Sequence, residues 1–358
     1  MQKRFLGVLS NRDIAELLAD QAERETGILS RAYRRAARSA FLWPEEASDL
    51  VSKDSPLTEL RSVGPFIGKQ IQSWIEKPSG RLEPVPPLRR DFMSMAEAQR
   101  LLAAQPSWTK KLRGDLQMHS RWSDGSATIA EMADAAKERS YEYIAITDHS
   151  KGLKIAGGID ESALERQGTE IANVNRELSK SGAKLTVLRS IEMNLNPRGE
   201  GDMSPASLLR LDVVLGSFHS VLRKKEDQTE RYLEALRNTH VHILGHPRGR
   251  IYNFRIGLKA DWPRVFAEAA RLDKALEIDC YPDRQDLNVA LLKIARDHGT
   301  RISLGTDAHH AWQLEFIDLG LAAALHAKIP DDRILNFMPI LELKAWAERL
   351  RDRNGSGR

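Results

Sequence analysis

From residue 114 onward, short apolar runs alternate with stretches of helical spacing, and this alternation constrains the fold more than any other feature. The runs at 115–118, 143–147, 185–191, 213–218, 242–245, 275–279 and 302–305 read as strands. Helical patterns fill 128–139, 160–180, 226–239, 261–271 and 286–298. Strands alternating with helices make parallel βα units. Seven such units predict an α/β fold, a closed or nearly closed βα barrel.

Each strand ends in a potential metal ligand or an acid. These are Gln117 and His119, Asp148 and His149, Glu192, His219, His246, Glu277 and Asp279, then Asp307 and His309. Barrel active sites gather at the C-terminal ends of the strands, and imidazole with carboxylate suits a divalent metal. Within 114–126, alternation along a strand points Gln117 and His119 the same way. The Ser-Asp-Gly that follows is loop chemistry and holds out Asp124. Structural histidines would scatter over helices and loops, as His240, His298 and His326 do in this reading. The recurrence predicts a multi-metal site. Neither a serine triad nor a cysteine nucleophile is needed, and Cys280, after the sixth strand, reads as buried filler.

The chain's 358 residues leave room for two or three domains. One cysteine excludes an intramolecular disulfide and a cysteine-rich zinc cluster. No run approaches the roughly 18 apolar residues of a membrane span. Met1 to Ser10 is too short for a secretory signal, and acidic residues follow at once. A cytoplasmic protein without membrane contact is therefore expected. Charge is unevenly placed: residues 1–113 hold 19 Lys and Arg against 14 Asp and Glu, the remainder 35 against 36. That excess suits a polyanion contact or a solvated helical surface. All ten histidines lie at or after His119, so the two parts are expected to have different jobs.

Residues 11–41 read as two helices. Ser10 or Asn11 caps the first, whose Ile14, Leu17, Leu18 and Ala22 keep helical spacing. Thr26-Gly27 breaks it. A second helix with a basic face begins at Ser30, and Pro44 ends it. Between Leu57 and Ile71 a short helix should end at Val63-Gly64, and another should begin between Pro65 and Gly68. Gly64 would permit a tight turn, and the amides opening the next helix could hold a phosphate. Residues 79–113 contain an extended Pro-rich stretch and then a short helix at 94–104.

The Val63-Gly64 turn resembles a helix-hairpin-helix motif, a sequence-independent binder of the DNA backbone. The resemblance implies contacts from Val63, Gly64, Phe66, Gly68 and Lys69. Residues 8–78 as a whole resemble the small N-terminal domain of family X DNA polymerases. The matching text is Asn11-Arg-Asp-Ile-Ala-Glu-Leu-Leu, Arg31-Ala-Tyr-Arg-Arg-Ala-Ala and the hairpin. In some of those enzymes a lysine beyond the hairpin performs a lyase reaction. Gln70 stands at that position, with Lys69 beside it, while Phe66 and Leu42 stand where the family has phosphate-gripping lysines. The resemblance thus implies a DNA-binding scaffold rather than a lyase. Residues 79–113 are too few for a polymerase palm.

Residues 114–325 resemble the polymerase and histidinol phosphatase (PHP) family. The carriers are Asp115-Leu-Gln-Met-His-Ser, Ile146-Thr-Asp-His149, Ser190-Ile-Glu192, Ser217-Phe-His219, Leu244-Gly-His-Pro247 and Gly305-Thr-Asp-Ala-His309. His246-Pro-Arg-Gly-Arg250 and Asp283-Arg-Gln-Asp286 add similarity to PHP domains of bacterial family X polymerases. The family implies a distorted seven-stranded barrel with two to three divalent metals, manganese foremost, zinc or iron as alternatives. Carried over, His119, Glu192 and Asp307 hold the first metal, with Gln117 in place of the usual histidine. Glu192 bridges to a second metal held by His219 and His246. Asp124, His149 and His309 hold the third. Paired cations can clamp a phosphate and activate water, which makes Glu192, His219 and Asp307 the catalytic candidates. Arg250 and Arg284 are expected either to grip phosphate or to form structural salt bridges with nearby acids, with Arg198 and Lys151 as lesser phosphate candidates.

The expected organisation is a helical DNA-binding domain at 1–80, a linker with a short helix at 81–113, and a PHP barrel at 114–350. The expected activity is hydrolysis of DNA phosphoesters in repair, as a 3′–5′ exonuclease, 3′-phosphatase or abasic-site endonuclease. DNA is the expected partner, with no nucleotide cofactor. Two alternatives stay open: a small-molecule phosphatase of the histidinol-phosphatase type, and a non-catalytic DNA-binding protein with structural metals. Oligomeric state is not legible.

Overall fold

The computed structural model describes residues 8–77 and 84–355. The first residues of the expected N-terminal segment, Met1–Gly7, and part of the expected linker, including Glu83, lie outside them. The chain divides into two compact units. One runs to Ala104 and takes in Ile251–Ile256, and the other holds Gln105–Arg250 and the chain from Gly257 onward. The helical unit thus extends past the boundary expected near residue 80 and includes a segment distant in sequence.

The helical unit opens with α1 (Asn11–Arg24), capped by Ser10 in a reciprocal capping box with Asp13. Asn11 does something else: its Oδ1 accepts the Ala47 N–H that opens α3 (Ala47–Ser52). Helix α2 (Gly27–Ser39) buries Tyr33, Ala36 and Ala37 and leaves Arg31, Arg34, Arg35 and Arg38 exposed, as its basic face requires. A single 3₁₀ turn, Leu57–Glu59, stands where a short helix was expected. Helix α4 (Pro65–Glu76) follows, with Gly64 as an N-cap that offers no side chain. The turn strains Ser62, at φ 66°, and not Gly64, which is extended at φ −87°. Gly64 is therefore not required by the turn. Helix α5 (Met95–Ala103), capped by Ser94, closes the unit. Its core gathers Ile14, Leu18, Trp43, Ile67 and Ile71 with Tyr252. The Tyr252 ring meets Phe41 at 4.9 Å and Phe92 at 5.3 Å.

The second unit begins with the short α6 (Pro106–Lys111) and then alternates strand and helix. Strand β1 (Gly114–Met118), α7 (Ile129–Glu138), β2 (Tyr143–Ile146), α8 (Glu161–Lys180) and β3 (Thr186–Arg189) come first. Next are β4 (Glu192–Asn194), α9 (Pro205–Leu208), β5 (Leu215–Ser217), α10 (Thr229–Arg237), β6 (Ile243–Gly245) and α11 (Trp262–Arg271). Strand β7 (Ala275–Asp279), α12 (Val289–Asp297), β8 (Arg301–Gly305), α13 (Ile317–Ala327) and α14 (Ile340–Gly355) complete it. All pairings are parallel, in two sheets of order β1-β2-β3 and β4-β5-β6-β7-β8.

The third expected strand, 185–191, is β3 alone, and a further strand, β4, follows it from Glu192. Between them the backbone loses its neighbour to side chains. Asp212 Oδ2 accepts the Arg189 N–H at 2.8 Å, and Ser190 Oγ donates to the Val213 carbonyl. The chain thereby leaves β2 and takes up β5, so the described residues hold eight strands rather than seven. Single parallel bridges, Met118 with Ala308 and His149 with Glu192, link strand ends of the two sheets. At the opposite ends, Leu343, Trp346, Ala347 and Leu350 of α14 pack with Leu116, Tyr143, Val213, Ile243 and Ala275. No helix among the described residues is long and apolar enough to cross a membrane.

Candidate metal centre

The strand ends deliver their side chains to one place. His119 leaves β1 with its N–H on the Ala308 carbonyl, which sets its backbone beside the end of β8. The next residues fold back so tightly that a Cβ on Gly125 would lie 2.6 Å from the His119 carbonyl carbon. Only glycine fits there, and the turn brings Asp124 back toward the histidine. His149 and Glu192 are joined by their backbone bridge, and His219 and His246 follow β5 and β6.

Glu192, wholly buried, is the hub. Its Oε1 lies 2.7 Å from His246 Nε2 and 3.2 Å from His219 Nε2, and its Oε2 lies 2.8 Å from His149 Nδ1 and 3.6 Å from His119 Nε2. A second acid, Asp124, lies 3.3 Å from His309 Nε2, 3.6 Å from His149 Nε2 and 4.0 Å from His119 Nδ1. Asp307 Oδ1 meets His119 Nε2 at 3.0 Å. The rings of His119 and His149 stack with centroids 4.3 Å apart, those of His119 and His309 at 4.4 Å.

Electrostatics follow from this crowding. Burial would raise Glu192, but His149, His219 and His246 hold it well below the usual carboxylate range. Burial works against the charged form of His246 too, yet Glu192 lifts it to about 10. Burial is likewise outweighed at His309, which Asp124 and Asp307 lift to about 9. His119 moves the other way, lowered by burial and by its neighbouring imidazoles.

The donors fit divalent cations. His119 Nδ1, His149 Nδ1, Glu192 Oε2 and His219 Nε2 are all buried without a hydrogen-bond partner, although they face one another. Orphans of that kind are costly unless something electropositive sits among them. Two groups among the described residues have donor atoms all within 4.8 Å of one another: His119, Asp124, His149 and His309, and His149, Glu192 and His219.

A model of the PHP domain matches residues 115–281. A probable phosphatase of Shewanella sediminis is 30% identical over 223 residues, covering 60% of this chain and 84% of that protein. The chain belongs to the PHP-domain family. The DNA polymerase/3'-5' exonuclease PolX of Bacillus subtilis is 35% identical over 240 residues, 67% of this chain. The match spans only 41% of that relative's length. A crystal structure of histidinol phosphate phosphatase from Lactococcus lactis, complexed with zinc, L-histidinol and phosphate, aligns with 60% of this chain and 93% of its own. Identity there is 19% and the TM-score 0.43.

Further groups orient the PHP-domain cluster, and two of them, Asn194 and Asp202, the sequence does not single out. Asn194 Oδ1 lies 3.1 Å from His219 Nδ1, so it holds the proton there and leaves Nε2 facing Glu192. The Asp307 carbonyl does the same for His309 Nδ1 at 2.7 Å. Asp148 accepts from Ser120 N and Oγ, Ser123 Oγ and Gln167 Nε2, all within 2.6–2.7 Å, so its oxygens are spent on the loop that carries Asp124. Asp202 binds Ser150 Oγ, which accepts the Asn194 N–H. Asp202 lies too far along the chain from its partners for spacing to reveal it.

Several expected residues stand elsewhere in the PHP domain. Gln117 is not turned to the histidines. With its amide oriented to satisfy both partners, its nitrogen donates to the two Glu277 oxygens at 2.5 and 2.9 Å. Glu277 also accepts the His246 N–H at 2.7 Å, and burial with Asp279 beside it raises its carboxyl well above normal. Arg284 reaches the cluster: Nη1 is 3.5 Å from Asp307 Oδ2 and Nε is 3.8 Å from Asp279 Oδ2. Arg250 is 4% exposed and donates to the Arg284 carbonyl, bracing that loop. Lys151 and Arg198 are exposed and paired with Glu161 and Glu200. Cys280 is buried.

Proposed function

We propose that this PHP-domain protein is a divalent-metal-dependent phosphoesterase that hydrolyses DNA phosphoesters in repair. The two sheets would close through the Met118–Ala308 and His149–Glu192 bridges into a distorted barrel. Residues 1–80 would form the DNA-binding domain, 81–113 the linker and 114–350 the catalytic barrel. Bound at the cluster, cations such as manganese supply Lewis acidity and an activated water. The chain's own side chains hold and orient. Glu192 concentrates negative charge, Asn194 fixes the His219 tautomer, and Arg284, braced by Arg250, presents a guanidinium to a phosphate oxygen. The reading covers 3′–5′ exonuclease, 3′-phosphatase and abasic-site endonuclease activity.

The observation that carries the DNA reading is Gly64. Its backbone is extended, and an added Cβ would meet nothing within 4 Å. The fold has no use for a glycine there. A phosphate backbone approaching the amides of α4 does. Exposed Phe66 and Lys69 flank that approach. Gly64→Asp should therefore keep the thermal midpoint and weaken binding to duplex DNA by about tenfold or more, with the wild type losing affinity as salt rises. Unchanged binding, or none by the wild type at low salt, refutes the DNA reading.

A second reading, a small-molecule phosphatase, is favoured by the likeness to the Shewanella sediminis probable phosphatase. Parallel assays on single-stranded DNA, 3′-phosphorylated DNA, abasic duplex and histidinol phosphate separate the two.

A further inference from the structure

Each centre of a trinuclear site needs its own ligands, and the one expected at His119, Glu192 and Asp307 lacks them. Gln117, its fourth member, is engaged with Glu277 by two short contacts. Asp307 turns one oxygen to a fellow ligand and the other to a fixed cation: Oδ1 lies 3.0 Å from His119 Nε2, and Oδ2 lies 3.5 Å from Arg284 Nη1. The two groups of donors that lie close enough to share a cation among the described residues omit Asp307 altogether. A guanidinium carries a fixed positive charge that no accessible pH removes. A divalent cation on Asp307 would have to sit against it.

We infer that the site is a two-metal centre in which the Arg284 guanidinium stands in place of a third cation. The Asp124 group, with His149, holds one metal, and Glu192 with His219 and His246 holds the other. Arg284 neutralises Asp307 and Asp279 and keeps a fixed positive charge at the pocket, with its side chain 31% exposed. Gln117 belongs to the same arrangement: released from ligation, it ties Glu277 of β7 to β1, and Glu277 in turn holds the His246 backbone. The replacement changes what a substrate phosphate meets. A metal accepts exchangeable oxygen ligands, whereas a guanidinium offers directed N–H donors to two phosphate oxygens.

The inference rests on the metal-dependent reading above, and the test tells their failures apart. Full-length protein is stripped with chelator, reloaded with excess manganese, freed of loose metal and measured by plasma mass spectrometry. Two equivalents per chain are expected for the wild type, and three for the double variant Gln117→His/Arg284→Ala. Three equivalents in the wild type would overturn the inference and leave the metal-dependent reading standing. A folded double variant that stays at two would overturn it as well. One equivalent in the wild type would overturn the inference alone, and none would sink both. Should the double variant not fold, manganese electron paramagnetic resonance of the wild type decides: a coupled pair supports the inference, a coupled trio or isolated ions contradict it.

Discussion

Asn194 sets which nitrogen of a cluster histidine faces the candidate metal centre. An imidazole offers a cation only the nitrogen that lacks a proton. By accepting a hydrogen bond from the His219 Nδ1–H, Asn194 leaves Nε2 for the centre. Asn194→Ala should lower affinity for the more weakly held metal by about 10–100-fold, while Asn194→Asp, which still accepts that hydrogen bond, should keep it. Chelator-competition titrations give both numbers, and an alanine variant with wild-type affinity would remove Asn194 from the centre. At this scale the sequence is informative about donors and silent about their partners. Histidine and acid at strand end after strand end were legible because strand periodicity and the parallel βα order put them on one side. The pairing of Gln117 with Glu277 was not legible, because Glu277 lies on a strand far along the chain. Asp148, inside a legible motif, is saturated by hydroxyls and an amide that only the fold brings near.

Among elements, the junction of α10 with β7 carries a measurable charge cost. Lys274 is buried just before β7, and its Nζ donates to the carbonyl of Asn238, the residue that ends α10. Burial lowers its amine from the ordinary value to about 7. The folded pKa lies below the unfolded value of about 10.4. Between the two the unfolded chain binds more protons, so this residue's contribution makes stability rise with pH across that window. Lys274→Met should lack the rise. Its urea midpoint should exceed the wild type's most at pH 7, with the difference shrinking by on the order of 1–2 kcal/mol by pH 9. A pH-independent difference would show the amine to be unshifted. Element positions themselves were largely readable, since apolar runs and helical spacing report local burial. The break between β3 and β4 was not, because Asp212, beyond both strands, captures the Arg189 N–H. A turn was expected before α4 and one is present, but Ser62 and not Gly64 takes its left-handed residue.

At the scale of the whole molecule, the helical unit borrows Ile251–Ile256 from within the stretch that forms the other. Tyr252 is 1% exposed there, packed on Phe41 and Phe92. Deleting residues 1–104 should strip that ring of its partners and give a protein that associates, visible by size-exclusion chromatography. The same deletion with Tyr252→Ser should elute as the smaller species. Identical elution would show that Tyr252 does not need its helical neighbours. The interruption also bears on descent. A portable module needs a stretch of coding DNA with one start and one stop, and no such stretch encodes this unit. A crossover that carried the codons up to Ala104 into another gene would leave six behind, and the recipient would inherit an aromatic cluster short of one ring. Lineages that keep a PHP domain without the helices should accordingly differ from this chain at position 252, and the two regions should change together over time.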